Sequence, residues 1–401
     1  MCQAARILLY VVLSVSGMLA QAQTHPDSSA LLAIRSEYHP LATFLASAPE
    51  RIPTRGNRVE LVPDGEQMLW LLTRDIMAAR EFVHMDYFIF KDEPETDYIH
   101  TAMRLRALDG LEVRYIAEDF TQKKGYINRM RRSGVEVKHY RMFPLVHRNH
   151  QKLVVIDSDV AYTGGMNLAR DYFYYWDDLS VRLQGPAVAS MELLFDKMWR
   201  RLRGAPTRAV CSPPPVPGSD VIVQQVDDSP YEKENRTLYA FVWALDHAKE
   251  FFYAKSPYFA PPPELARALK EAAGRGVDVR LILPERGDLS FMDPVNRSYY
   301  KQMLDAGVKL YQRSDRFDHS KVFTSDNYLS CIGSSNMDGV SFRSNFENNL
   351  LFYDEDLALE IRSLIEQNLA RSELITPEYL QGLSGWERMG HGLLRVLGQW
   401  M

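Results

Sequence analysis

Runs of alternating or continuous apolar residues recur along the chain, and between them lie longer stretches with apolar positions at helical spacing. "EFVHMDYFIF" from Glu81 and "EFFYAKSPYF" from Glu250 are both aromatic, β-rich runs that begin 169 residues apart. After each comes a helix-like stretch closed by a glycine and a β-branched run: "LDGLEVRYI" at Gly110 and "RSGVEVKHY" at Gly134 in the first half, "RGVDVRLIL" at Gly276 and "AGVKLYQ" at Gly307 in the second. A glycine ending a helical pattern ahead of an alternating run predicts a helix-to-strand connection. Strands alternating with helices predict an α/β fold, a sheet with helices packed on its faces, built twice in tandem. The expected organisation is a first domain over residues 30–210, a linker at the proline-rich "CSPPPVPGSD" of residues 211–220, and a second domain over 221–401. A stripe of Met389, Leu393, Leu394, Leu397 and Trp400 predicts a C-terminal amphipathic helix, docked on the second domain or on a membrane.

The N-terminus follows another pattern. After Arg6, "ILLYVVLSVSGML" is apolar over 13 residues and is followed by "AQA" at Ala20–Ala22, the form of a signal peptide covering residues 1–22. An uncleaved anchor is the alternative, although the run is shorter than the ~20 apolar residues of a comfortable span. The protein is therefore expected to be exported to the cell envelope, periplasmic or membrane-associated. Cys211 and Cys331 would remain after cleavage, and "YLSCIG" reads as a buried strand with an inert core thiol at Cys331.

At 401 residues, two domains are the first expectation. A formal net charge of −5 gives no basic surface of the kind that coats nucleic acid, so none is expected as partner.

The 169-residue spacing returns where chemistry is dense. "HQKLVVID" starts at His150 and "HSKVFTSD" at His319. Counting from each histidine, the two copies share Lys152 and Lys321, Asp157 and Asp326, Gly164 and Gly333, Asn167 and Asn336, and the acids Asp178 and Glu347. A purely structural duplication would keep apolar positions; this one keeps polar ones. On a strand, positions i and i+2 share a face, so each histidine projects with its lysine, whereas Asp157 and Asp326 have the opposite parity and read as structural ties at the strand end. His147 and His150 form an H-x-x-H that would suit zinc, but Arg316 stands where His147 would repeat, and a lysine beside each histidine repels a divalent cation. Two facing His-x-Lys units suit a phosphodiester without metal or other cofactor. Lysines neutralise phosphoryl oxygens, and histidine attacks phosphorus or transfers protons.

"HQKLVVID" with "TGGMN", and "HSKVFTSD" with "GSSNMD", resemble the H-x-K-x4-D motifs of the phospholipase D superfamily. "WDDLSVRLQGPAV", "SFRSNFENNL" and "LLRVLGQW" resemble the bacterial cardiolipin synthases within it. The resemblance spans roughly residues 60–400 and implies two phospholipase D-like α/β domains with one active site at their interface. It implies His150 as a nucleophile forming a phosphohistidine, His319 as general acid and base, and Lys152, Lys321, Asn167 and Asn336 as holders of the phosphoryl oxygens. The shared +28 offset assigns Asp178 to orient His150 and Glu347 to orient His319.

The implied activity joins two phosphatidylglycerol molecules into cardiolipin at a membrane surface. Cardiolipin synthases of the common bacterial type begin with two membrane spans, unlike the segment read here, so hydrolysis of phospholipid, or less readily of nucleic acid, is the second reading. A non-catalytic membrane-associated scaffold is the third, and two complete motifs speak against it. Tyr87, Phe88, Tyr258 and Phe259 are candidates for a lipid groove or for core.

Overall fold

The computed structural model describes residues 28–141, 147–207 and 210–382. The N-terminal apolar segment and the C-terminal amphipathic stretch read above lie outside these residues.

The strands in chain order are β1 (Thr54–Val62), β2 (Phe82–Tyr87), β3 (Glu112–Glu118), β4 (Glu136–Tyr140), β5 (Lys152–Ile156), β6 (Val160–Gly164), β7 (Ser180–Gln184), β8 (Val221–Asp228), β9 (Phe251–Lys255), β10 (Phe259–Ala260), β11 (Asp278–Pro284), β12 (Lys309–Arg313), β13 (Val322–Ser325), β14 (Leu329–Gly333), β15 (Met337–Asp338), β16 (Glu347–Tyr353) and β17 (Glu373–Leu374). Fifteen of them form one sheet in the order β17-β12-β11-β9-β13-β14-β16-β8-β1-β7-β6-β5-β2-β3-β4, and β10 pairs separately with β15. Leaving out β17, the order reads the same outward from the antiparallel β1–β8 pair in both directions once each strand is matched to its repeat. The α/β duplication is thus present, but the halves share a continuous sheet instead of closing two.

The four glycines that end helical patterns, Gly110, Gly134, Gly276 and Gly307, all adopt φ of 90–92°. There an L side chain is disfavoured, so glycine both ends the helix and turns the chain into β3, β4, β11 and β12.

Strand alternation divides the core. Along β5, Leu153 and Val155 face one side, and Val154 and Ile156 the other. The first side is a single apolar layer common to both halves, covered by helices Ala187–Arg201 and Glu355–Leu369. The second side carries two separate cores, one within the first half and one in the second half, where Ile34, Tyr38, Leu41, Ala42 and Leu45 from the start of the described chain also pack. The shared layer makes the relative placement of the halves part of the folded core, which is what a site built from both requires.

Asp157 and Asp326 follow β5 and β13 with φ of 54° and 49°. The Asp157 carboxylate accepts from the N–H groups of Arg80, Glu81 and Phe82, and that of Asp326 from Lys249, Glu250 and Phe251. Each ties a hairpin turn to the start of the neighbouring strand and lies at the opposite end of its strand from the histidine. Cys331 is a buried free thiol in β14, and Cys211 is exposed.

Candidate active site

Two short bridges between the halves set the geometry. Asn149 pairs with Phe346, and Asp318 with Asp177. His150 N–H donates to Phe346 O at 3.0 Å, and His319 N–H to Asp177 O at 2.7 Å. Each histidine therefore lies against the segment just before the acid of the opposite half. His150 Nδ1 is 3.0 and 3.1 Å from the two carboxylate oxygens of Glu347, and His319 Nδ1 is 2.7 Å from Asp178 Oδ2. The pairing read from the +28 offset is thus crossed: Glu347 serves His150, and Asp178 serves His319. The offset relates acid to histidine within a copy, but the bridges bring together residues of different copies.

An imidazole whose Nδ1–H is held by a carboxylate presents Nε2 to the cleft. The crossed pairs give a direct expectation for histidine 15N NMR. Glu347→Gln should shift the imidazole signals of His150, and Asp178→Asn those of His319; the reverse pattern would contradict the crossing.

The two acids are not equivalent. Glu347 is wholly buried, yet also accepts from Asn345 Nδ2 at 3.1 Å and from the Ser334 hydroxyl. Burial pushes its carboxyl up, but His150, Lys152 and Ser334 outweigh burial and hold it below the usual range. Asp178 accepts from the Leu179 N–H at 2.7 Å, and burial, only partly offset by Lys321, pushes it up to about 7. Ser334 and Asn345 escaped sequence reasoning. Their counterparts at the 169-residue spacing are Gly165 and Trp176, and those two substitutions within otherwise matched motifs were the available signal.

Gly165 has its own reason. A Cβ there would lie 2.0 Å from Asp178 Oδ1. Gly165→Ala should displace the carboxylate from His319, lower stability by about 1–3 kcal/mol as overpacking does, and reduce turnover, as thermal unfolding and an activity assay would read.

Lys152 and Lys321 are buried beside their histidines. Lys152 Nζ donates to His150 O at 2.6 Å, and Lys321 Nζ is 2.7 Å from His319 Nδ1. Burial lowers both ammonium groups, Lys152 to about 7 and Lys321 to about 8, with Glu347 and Asp178 respectively opposing it. Burial also lowers both histidines, with Lys321 adding to the effect at His319. Such a site gains from a bound monoanion, because negative charge between the two lysines restores their preference for protonation.

Asn167 and Asn336 are buried. Asn167 Oδ1 accepts from the Ile89 N–H at 3.1 Å, and its Nδ2 donates to the Tyr172 hydroxyl at 2.8 Å. Rings close over both histidines: Phe88 meets His150 at 4.8 Å, and Tyr172 meets His319 edge-on at 5.1 Å, with Trp176 and Phe317 at 5.8 and 5.9 Å. Of the four aromatic candidates, Phe88 and Tyr258 are part-exposed, while Tyr87 and Phe259 are core. The two histidines of the H-x-x-H have different partners: His147 Nδ1 bonds Ser344 O at 2.8 Å, whereas His150 Nδ1 bonds Glu347.

The family model described as "Cardiolipin synthase, PLD-like domain" matches residues 72–199 and again 241–369, one match for each half of the sheet. The chain belongs to this cardiolipin synthase family of phospholipase D-like proteins. Cardiolipin synthase 1 of Staphylococcus epidermidis is 30% identical over 361 residues, covering 85% of this chain and 74% of that protein. A cardiolipin synthase of Listeria monocytogenes is 29% identical over 365 residues, covering 86% and 76%. Among solved structures, a phosphatidylserine synthase from Haemophilus influenzae superposes with a TM-score of 0.63 at 13% identity, over 86% of this chain and 95% of that one. A polyphosphate kinase from Porphyromonas gingivalis has a TM-score of 0.58 at 12% identity, over 80% and 49%; both likenesses concern the fold. As a member of the cardiolipin synthase family, the chain is an enzyme of the phospholipase D superfamily, in the phosphatidyltransferase and phosphodiesterase class.

Proposed function

We propose that the protein transfers a phosphatidyl group from one phosphatidylglycerol to another through a phosphohistidine on His150, yielding cardiolipin and glycerol. The observation that carries this reading is the unequal backing of two otherwise matched histidines. His150 leans on a carboxylate kept ionised by further donors, which favours a basic, nucleophilic Nε2. His319 leans on an acid raised to about 7 and faces Lys321, an arrangement suited to moving a proton to and fro.

In the first step His150 Nε2 bonds to phosphorus, the bond from phosphorus to the glycerol oxygen breaks, and His319 gives that oxygen its proton. In the second, His319 takes the proton of an incoming hydroxyl, whose oxygen bonds to phosphorus as the bond to His150 breaks. Lys152, Lys321 and the amides of Asn167 and Asn336 hold the non-bridging oxygens. A bound phosphodiester supplies the charge that keeps His319 and the lysines protonated.

The lipid setting draws support from the loops beside the site. Phe120, Tyr174, Tyr175, Leu289 and Phe291 are exposed there, with Arg148 stacked at 4.0 Å on Phe120, which suits a surface of anionic lipid. We take the working location to be the membrane surface of the cell envelope, after export.

The test is incubation with phosphatidylglycerol vesicles in the presence of EDTA, with products identified by mass spectrometry. Cardiolipin with an equal amount of glycerol is expected. Phosphatidic acid alone would replace transfer with hydrolysis, and no product would overturn both.

A further inference from the structure

The two halves differ in which hydrogen-bond acceptors near the site are already used. In the first half the Asn167 oxygen accepts from the Ile89 N–H, and its nitrogen gives one of its two hydrogens to the Tyr172 hydroxyl. Asp119, on the loop after β3, is paired with Arg141 at 2.8 Å and His139 at 3.1 Å. In the second half the counterparts are open. Asn336, 5% exposed, has no partner for its Oδ1 among the described residues. Asp288 occupies the position of Asp119 on the loop after β11; it is exposed, and its Oδ1 accepts from the Tyr258 hydroxyl at 2.6 Å.

These three residues converge. β10 and β15 pair in parallel with Phe259 opposite Met337, so the preceding residues, Tyr258 and Asn336, run side by side. The Ser256 hydroxyl fixes this register by donating to Tyr258 O at 2.7 Å and accepting from Met337 N–H at 3.0 Å. The Asp288 loop is held by the Gly287 N–H bond to Asp293 at 2.8 Å. From there the Asp288 charge raises the proton affinity of both His319 and Lys321, against the larger effect of burial.

Phosphoryl oxygens are themselves acceptors and gain nothing from a carboxylate or an amide oxygen. An alcohol bearing further hydroxyls can donate both to the buried, unpaired Asn336 oxygen, which is costly to leave unmet, and to the exposed Asp288 carboxylate, which water otherwise serves. We propose that Asn336, Tyr258 and Asp288 form a polyol subsite on the His319 side, which binds the extra hydroxyl groups of a glycerol headgroup as it leaves and as the next one enters. The proposal rests on the transfer reading above and deepens it. Departing and arriving alcohols share one side of phosphorus, so one subsite selects both. Tyr172, Trp176 and Phe317 give it apolar walls for the carbon chain.

The test uses the full-length protein, phosphatidylglycerol vesicles, and equal concentrations of deuterated glycerol and 1-propanol as competing acceptors. The ratio of deuterated phosphatidylglycerol to phosphatidylpropanol is read by mass spectrometry in one reaction, so it does not depend on overall rate. The protein should favour glycerol, since a site built to bond a hydroxyl discriminates against its absence. Asp288→Ala and Tyr258→Phe, the second removing a single oxygen, should each lower the ratio roughly tenfold, as loss of one such bond would, with a raised KM for glycerol. An unchanged ratio in both variants would overturn the subsite. Failure of the unmodified protein to phosphatidylate either alcohol or to form cardiolipin would instead overturn the transfer reading.

Discussion

Replacing His150 with alanine should lower turnover of a phosphatidyl donor by on the order of 10^4-fold or more, the range seen when a nucleophile is removed. No neighbouring group can take its place. The lysines beside it are held by backbone carbonyls, His150 O and His319 O, and Glu347 lies behind the ring, already bonded to Ser334 and Asn345. Those two bonds persist in the variant, so Glu347 keeps two of its donors and the fold should survive, as circular dichroism and thermal unfolding would verify. Retention of near-normal turnover by the folded variant would remove His150 from the chemistry.

Replacing His319 with alanine should cost about 10²–10⁴-fold with a glycerol leaving group, the usual contribution of a positioned acid or base. The loss should depend on the leaving group, which distinguishes this histidine from His150. A 4-nitrophenyl alkyl phosphodiester expels an oxygen that needs no proton, so His319→Ala should still release one equivalent of nitrophenolate per protein. It should then stall, because no base remains to activate the incoming hydroxyl. His150→Ala should give no burst with either substrate. A His319→Ala protein equally slow with both leaving groups would contradict the proton-transfer role.

Much of this arrangement was legible in the sequence because duplication preserves what both halves need. The repeated histidine, lysine, asparagine and acid marked one chemistry done twice, and the strand parity of Asp157 and Asp326 separated them from the histidine face. The crossing of the acids was not legible. Asp178 stands 28 residues after His150, and Glu347 stands 28 after His319. A periodic sequence is blind to whether such a pair forms within a copy or between copies, and that choice belongs to the Asn149–Phe346 and Asp318–Asp177 bridges.

The continuous sheet was hidden for a similar reason. The repeat read in the sequence begins at Glu81 and Glu250, after β1 and β8, so the mutual pairing of those two strands, which joins the halves, left no mark in it. Below the histidines the two copies also diverge in charge. Asn149 bonds buried Asp86 at 2.7 Å, where the other half has Asp318 paired with Lys255 at 2.6 Å. The polarity of that buried pair is reversed between the halves, with the acid on β2 in one and on the segment before the lysine strand in the other. Searching for identity between copies finds the shared chemistry; searching for their differences finds what makes the two histidines unequal.

The covalent step is the centre of this account and can be read directly. His319→Ala protein is mixed with the 4-nitrophenyl alkyl phosphodiester, quenched at high pH after the burst, where a phosphorus–nitrogen bond at histidine survives, and digested for mass spectrometry. The account predicts one alkyl phosphoryl group per chain, on the peptide carrying His150. A burst without any modified peptide, or with the group on another residue, would contradict it.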